Sequence, residues 1–349
     1  MTQPIEKPKR RVRYSGTHPK TFEEKYKELQ PDKYEETIAK VIQKGNTPAG
    51  MHRSICVQEI LNILQIKPGQ TGLDCTLGYG GHTQEMLACL QKSGHLYAID
   101  ADPIELPRTK KRLHDLGYGE DILTIESLNF KEIDALVEHT GPFDFILADL
   151  GVSSMQIDNP SRGFSFKMDG PLDLRMNPQI GIPVSKRLTE LSYDELVSIL
   201  QENADEPNAE VIAKATLRFL KTSGTIETTL QLKQIIADAL FHIPIHLRND
   251  EIKKACQRSF QALRIDINHE YDALSALLDK LPDSLAKNGR VAILTFHSGE
   301  DRLVKKSFQS LFRQGVYQEI AQEIIRPSME EQNSNSRARS AKLRYAIKA

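Results

Sequence analysis

The stretch Thr71-Gly72-Leu73-Asp74-Cys75-Thr76-Leu77-Gly78-Tyr79-Gly80-Gly81-His82, followed by Thr83 through Leu90, decides how the chain is read. A short apolar segment ends at Asp74, three glycines crowd into four residues, and a helix-like segment follows: strand, tight turn, helix. Gly78, Gly80 and Gly81 let the backbone bend sharply and approach a ligand without β-carbon clashes, and the helix start offers unpaired amide hydrogens. Alone, such a turn could bind a dinucleotide, cradle another anion or merely close a bend. Asp100, at the end of the next short strand His95–Ile99, narrows the choice, because a carboxylate there accepts hydrogen bonds from both hydroxyls of an adenosine ribose. Asp74, directly before the turn, would pair with a methionyl amino group but repel a pyrophosphate, which favours S-adenosylmethionine over a nicotinamide cofactor. Its competing role is to hold the amides of its own turn.

Outward from this turn, strands and helices alternate. Asp102-Pro103 caps a further helix, Ile122–Ile125 and Phe143–Leu147 read as strands, and glycines and prolines then break the rhythm. Leu188 to Leu274 is chiefly helical, with helices at Tyr193–Leu200 and Leu230–Ile236, and strand patterning resumes at Arg290–Phe296. The expected fold is α/β, a twisted Rossmann-like sheet with its ligand at the carboxyl ends of the strands, interrupted by an inserted helical domain. The expected boundaries are a basic extension over 1–47, a discontinuous sheet domain over 48–157 and 275–349, and a loop and helical insertion over 158–274. The 349 residues suit about two domains. With 46 Lys and Arg against 47 Asp and Glu, the formal charge is −1, so any nucleic-acid surface must come from local asymmetry such as the basic arm Lys7–Arg13. The 4 cysteines lack zinc or disulfide spacing, and no apolar run reaches the roughly 18 residues that span a bilayer. The expectation is a reduced, cytoplasmic protein with no metal and no membrane partner.

Asp149-Leu150-Gly151-Val152-Ser153-Ser154 follows the strand at Phe143–Leu147, so its side chains would face the ligand across the strand ends. Asp149, Ser153 and Ser154 are the candidates for accepting a substrate proton or orienting the substrate, with helix capping as the alternative. Arg162-Gly163-Phe164-Ser165-Phe166 combines stacking side chains with a phosphate fork, and Arg175 lies nearby; an ordered packed loop is the competing reading. Gln261 and Arg264 could read polar base edges beside the core-like Phe260 and Leu263. His297, Glu300 and Asp301 gather beyond the Arg290–Phe296 strand without a secure metal pattern, and His297 is read as orienting the substrate loop. In the tail, Arg337 and Arg339 suit phosphate contact, while Leu343, Tyr345 and Ile347 fit an edge strand equally well.

From about Pro48 to Ile347 these motifs resemble the bacterial 16S ribosomal RNA cytosine-N4 methyltransferases, the MraW or RsmH family. The resemblance rests on Gly80-Gly81-His82, Asp149 to Ser154 through Gln156, Arg162 to Phe166, Asp169-Gly170-Pro171-Leu172-Asp173, Phe260 to Arg264, and Arg337 to Arg344. It implies a class I S-adenosylmethionine-dependent fold and a donor pocket at Gly80, Gly81, His82, Asp100, Phe130, Asp149 and Gln156. It also implies methyl transfer to the exocyclic N4 of a cytosine in the decoding centre of the small ribosomal subunit, with 16S RNA or the subunit as partner; a homodimer is compatible with it. The chain departs from the family pattern at Tyr79, at Met155, at Gly299 where leucine is habitual, and over Lys254 to Ser259. Those departures keep open a paralogue acting on another RNA or DNA cytosine; the other alternative is a catalytically silent assembly factor, its glycine pocket vestigial and its basic arm and arginine-rich tail binding ribosomal RNA.

Overall fold

The computed structural model describes residues 54–349; the basic arm and the rest of the 1–47 extension lie outside the described residues. Helix α1 (Val57–Leu64) precedes β1 (Thr71–Asp74), and the glycine turn then leads to α2 (Gly81–Leu90), β2 (His95–Asp100), α3 (Leu106–Asp115), β3 (Leu123–Ser127), α4 (Ile133–Thr140) and β4 (Phe143–Asp149). The seven-stranded sheet has the order β3-β2-β1-β4-β5-β7-β6, where β5 is Leu285–Thr295, β6 Tyr317–Ile320 and β7 Lys342–Lys348. The strands from β3 to β5 run parallel, and β7 runs antiparallel to both β5 and β6. Winding proceeds outward from β1 to β3 and then returns to β4, beside β1. That reversal leaves a crevice at the carboxyl ends of β1 and β4, where doubly wound sheets bind ligands. The fold is the expected Rossmann-like α/β architecture.

Both faces of the parallel sheet are covered, as buried βαβ strands require. On one face Ile60, Leu64, Met86, Leu87 and Leu113 from α1, α2 and α3 pack against Leu96, Phe145 and Leu147. On the other, Ile133 and Leu136 join Leu277 and Leu281 of α11 (Glu270–Ser284) and Val304 and Phe308 of α12 (Ser298–Arg313). A third core belongs to the insertion. It is built from α6 (Val184–Glu190), α7 (Tyr193–Ala204), α8 (Ala209–Ser223), α9 (Thr229–Ala239) and α10 (Ile245–Asn268), around residues such as Leu196, Leu200, Ile212, Ile236 and Leu263. The starts of α7 and α9 are fixed by reciprocal capping boxes, Ser192 with Glu195 and Thr228 with Gln231, which satisfy amides the first turn cannot pair.

One expectation changes. The tail strand is interior: β7 lies between β5 and β6, and β6 is the edge. Tyr317-Gln318-Glu319-Ile320 is too short and polar to stand out by alternation. Leu274 in α11 packs in the sheet core. Among the described residues no helix is long and apolar enough to cross a membrane.

Candidate active site

The glycine turn is assembled from within. Asp74 is 1% exposed, and its carboxylate accepts hydrogen bonds from the Thr76 amide at 3.0 Å and the Thr83 hydroxyl at 2.6 Å. Burial pushes its pKa up, against the opposing pull of Thr83, His82 and Thr76. The structure therefore favours the competing role for Asp74, which anchors the turn with both oxygens engaged, over direct pairing with a ligand amine. Gly80 is the N-cap of α2 at φ 75, and a β-carbon there would stand 3.1 Å from both Leu113 Cδ1 and Thr109 Cγ2. Gly78, at φ 49, donates its amide to Asp100 Oδ2 at 2.7 Å, and its carbonyl accepts from the Thr109 hydroxyl at 2.7 Å. The other Asp100 oxygen accepts from the Asp102 amide at 2.8 Å. Burial raises the Asp100 pKa to about 6. Each of its oxygens has a further lone pair, which a ribose hydroxyl can use. Tyr79, the departure inside the glycine run, is stacked by the Arg112 guanidinium 3.5 Å from its ring centre.

Asp149 closes the crevice from β4. Its amide donates to the Thr76 hydroxyl at 2.7 Å, which ties the two strand ends to each other. Oδ2 lies 3.5 Å from His82 Nδ1 and the side chain is 28% exposed, yet Oδ1 itself is covered and has no hydrogen-bond partner. Burial is the main cause that lifts its pKa to about 6, with Asp74 and Glu300 raising it and His82 lowering it. A buried acceptor atom without a partner is costly unless a ligand supplies the hydrogen. The positive-φ glycines, the partly buried Asp100 and this orphaned oxygen fit a ribose-bearing cationic donor.

The serines do other work. Ser153 is the N-cap of α5 (Ser154–Asp158), paired reciprocally with Gln156 in a capping box. The Ser154 hydroxyl accepts a short hydrogen bond from Arg337. The structure thus realises the capping alternative for Ser153 and a tie to the C-terminal segment for Ser154. Gln156 donates from Nε2 to Asp102 Oδ2 at 2.7 Å. Phe130 opens the 3-10 turn after β3, capped by Asn129 and half-buried against the sheet core.

The residues expected to face a substrate are more dispersed. Arg162 is 5% exposed and donates to Asp102 Oδ2 at 2.8 Å and to the carbonyl of Met176 at 2.7 Å, so its fork is consumed inside the protein. Phe164 lies in the insertion core, and Phe166 packs on it 5.4 Å from Phe260. Arg175 is paired with Asp173 at 2.7 Å and Arg264 with Glu270 at 2.7 Å, and both pairs are bidentate. Gln261 reaches the Asn203 carbonyl at 3.4 Å. Arg337 also donates to Asp158 at 3.0 Å, whereas Arg339 is exposed on the Gln332 carbonyl. Arg344 in β7 is buried on Asp301 at 2.6 Å, a consequence of the strand being interior. His297 caps α12, with Nδ1 accepting the Glu300 amide. Its Nε2 lies 3.1 Å from Glu300 Oε1, and against the upward push of burial this contact helps hold the Glu300 carboxyl below its usual range. Glu270, His297 and Glu300 are close enough to hold an ion, but the Arg264 guanidinium already neutralises Glu270. Sequence reasoning missed Thr76 and Thr109, whose hydroxyls weld the turn, and the convergence of Gln156 and Arg162 on Asp102. Thr76 sits inside the deciding stretch and was legible there, whereas the Asp102 hub joins residues more than 50 positions apart and leaves no local pattern.

A model of the MraW methylase family matches residues 49–349. The chain is 67% identical over 344 residues to Ribosomal RNA small subunit methyltransferase H 2 of Alkaliphilus metalliredigens, covering 99% of each chain. It is 63% identical over 341 residues to Ribosomal RNA small subunit methyltransferase H 1 of Lachnoclostridium phytofermentans, covering 98% of this chain and 93% of the relative. It is 36% identical over 301 residues to Ribosomal RNA small subunit methyltransferase H of Acidobacterium capsulatum, covering 85% of this chain and 98% of the relative.

Proposed function

Because the chain belongs to the MraW methylase family, we propose that it transfers a methyl group from S-adenosylmethionine to the exocyclic N4 of a cytosine in 16S ribosomal RNA, in the decoding centre of the small subunit. The relatives are named for methylation of small-subunit ribosomal RNA, and this chain is a ribosomal RNA methyltransferase of their type; the base, the atom, the address and a cytoplasmic setting are the reading put forward here. The observation that carries it is the covered, partnerless Oδ1 of Asp149, held at a strand end beside the glycine turn.

S-adenosylmethionine supplies, when bound, a methyl group activated by its sulfonium. Asp100 and the Gly78 to Gly81 turn would hold the nucleoside end. Phe130, at the same carboxyl edge of the sheet, and Gln156, next to the Asp102 hub, are the remaining pocket residues that the family pattern assigns. The acceptor is a poor nucleophile, because its nitrogen lone pair is delocalised into the ring. Asp149 Oδ1 would accept a hydrogen from N4, favouring rehybridisation and leaving the lone pair aimed at the methyl group. No covalent cysteine is required: Cys56, Cys75 and Cys256 are buried, and burial pushes their thiols up. The base must leave its stack to reach this crevice, which costs least in unpaired or strained RNA.

The test is incubation of the protein with a methyl-labelled donor and, separately, 16S RNA, small subunits and DNA, followed by nucleoside mass spectrometry. N4-methylcytidine from small-subunit RNA is expected. Its absence from every RNA substrate, with donor binding intact, would reject the reading.

A further inference from the structure

We propose that His82 and Asp149 hold one proton between them, and that His82 is a positioning residue that keeps Asp149 ready to receive the proton released by the acceptor amine. The final step rests on the proposed function; the shared proton does not. The His82 ring is 7% exposed and lies between two acceptors. Its Nε2 is 2.9 Å from the Ile55 carbonyl, and its Nδ1 is 3.5 Å from Asp149 Oδ2. A carbonyl oxygen only accepts, so Nε2 carries the hydrogen. In the neutral ring with that tautomer, Nδ1 would turn a lone pair toward a carboxylate oxygen. One proton removes the conflict, either on Nδ1 as an imidazolium facing a carboxylate or on Asp149 as a carboxyl group facing a neutral ring.

The surroundings retain that proton. The carboxylates acting on Asp149 are Asp74 at the end of β1 and Glu300 in α12, and the charge opposing them there is His82. His82 also acts on Asp74 and on Glu331 in α13 (Met329–Ser334). Glu331 in turn accepts the Cys56 amide at 3.1 Å, and the buried Cys56 thiol is pushed up and stays neutral. The imidazole thus acts on Asp149, Asp74 and Glu331, and Glu300 acts on Asp149.

The charge balance of the reaction then closes inside the site. As the carbon–nitrogen bond forms and the carbon–sulfur bond breaks, the N4 proton passes to Asp149 and the sulfonium becomes a neutral thioether. The pair goes from one proton to two as the donor loses its positive charge, so the total charge of the site is unchanged.

The test is NMR of the donor-free protein carrying 13C-carboxyl aspartate and 15N-ring histidine, with signals assigned by Asp149→Asn and His82→Gln. In the unsubstituted protein near neutral pH the two groups together are expected to hold one proton. A neutral ring facing an ionised Asp149 would overturn the proposal without reliance on any variant. In His82→Gln, whose amide can still donate to the Ile55 carbonyl, the Asp149 titration is expected to move up by a pH unit or more, and the acid limb of kcat with it. A rate that falls equally at all pH values, with the Asp149 titration unmoved, would leave His82 a purely structural role and also overturn it. If no RNA is methylated but the NMR result holds, the proposed function fails and the shared proton stands.

Discussion

Substitution of Arg162 separates two accounts of the Arg162-Gly163-Phe164 loop. Read from sequence, Arg162 grips RNA phosphates; in the structure it is 5% exposed and its guanidinium bridges Asp102 Oδ2 at 2.8 Å and the Arg175 and Met176 carbonyls at 3.2 and 2.7 Å. Arg162→Met removes the cation and leaves Asp102, 2% exposed, with the Gln156 amide and the backbone amides of Ile104 and Glu105. Breaking a buried pair on one side costs about 3–5 kcal/mol. For about 300 described residues, an unfolding entropy of roughly 2 cal/mol/K per residue gives on the order of 0.6 kcal/mol/K, so the expected fall in Tm is about 5–8 °C. Differential scanning calorimetry measures it, with RNA affinity measured in parallel below the transition. Asp102→Asn combined with Arg162→Met removes the uncompensated charge and should recover part of the loss. An unchanged Tm with RNA binding weakened by more than tenfold would refute the structural role and restore the phosphate reading.

Further outcomes follow from the same geometry. Asp149 must be ionised to accept a proton, and its pKa is raised to about 6, so kcat should fall about tenfold per pH unit below that value; stopped-time methylation across pH 5–8 reads the limb, which Asp149→Asn should abolish together with most turnover. A raised carboxyl pKa also favours the protonated folded state, so the stability contributed by Asp149 and Asp100 is full below their unfolded value and is lost as pH rises through about 6. The Tm of the donor-free protein should therefore decline less steeply across that window in Asp149→Asn, and an unaltered slope would count against the burial assigned to it. Asp100→Asn turns one acceptor into a donor facing the Gly78 or Asp102 amide, and calorimetry should show at least about tenfold weaker donor binding, equivalent to about 1.4 kcal/mol. Gly299→Ala would place a β-carbon 1.9 Å from the Tyr271 hydroxyl and displace its bond to the Asn203 carbonyl; overpacking of this kind costs about 1–3 kcal/mol, and Gly299→Ala with Tyr271→Leu should recover part of it in a denaturant titration.

The sheet was legible because its strands are short apolar runs ending in chemically marked residues. Asp74, Asp100 and Asp149 terminate β1, β2 and β4, and the glycine turn after Asp74 announced the crevice. The polar β6 carried no such mark, and β7 read as an edge because the strand that covers its outer side is that same unmarked β6. Side-chain roles were less legible for the same reason. Ser153 next to Asp149 looks like site chemistry in one dimension, but the capping box with Gln156 is a local backbone requirement of α5. Arg162 and Arg175 read as phosphate forks, and Arg264 as a reader of base edges, until Asp102, Asp173 and Glu270 are seen to occupy them. Gly299, odd as a departure from the family pattern, has a spatial explanation in the Tyr271 ring that fills the place of its missing side chain.

The central claim is that the glycine turn and the end of β4 converge on a single methyl donor. A crystal structure of the protein with S-adenosylmethionine tests it most directly. The account predicts the nucleoside end of the donor on the Gly78 to Gly81 turn with its ribose hydroxyls on Asp100, and Asp149 Oδ1 beside the reactive methyl group with room for a base edge. A donor bound elsewhere, or Asp149 separated from the methyl group by intervening protein, would contradict it.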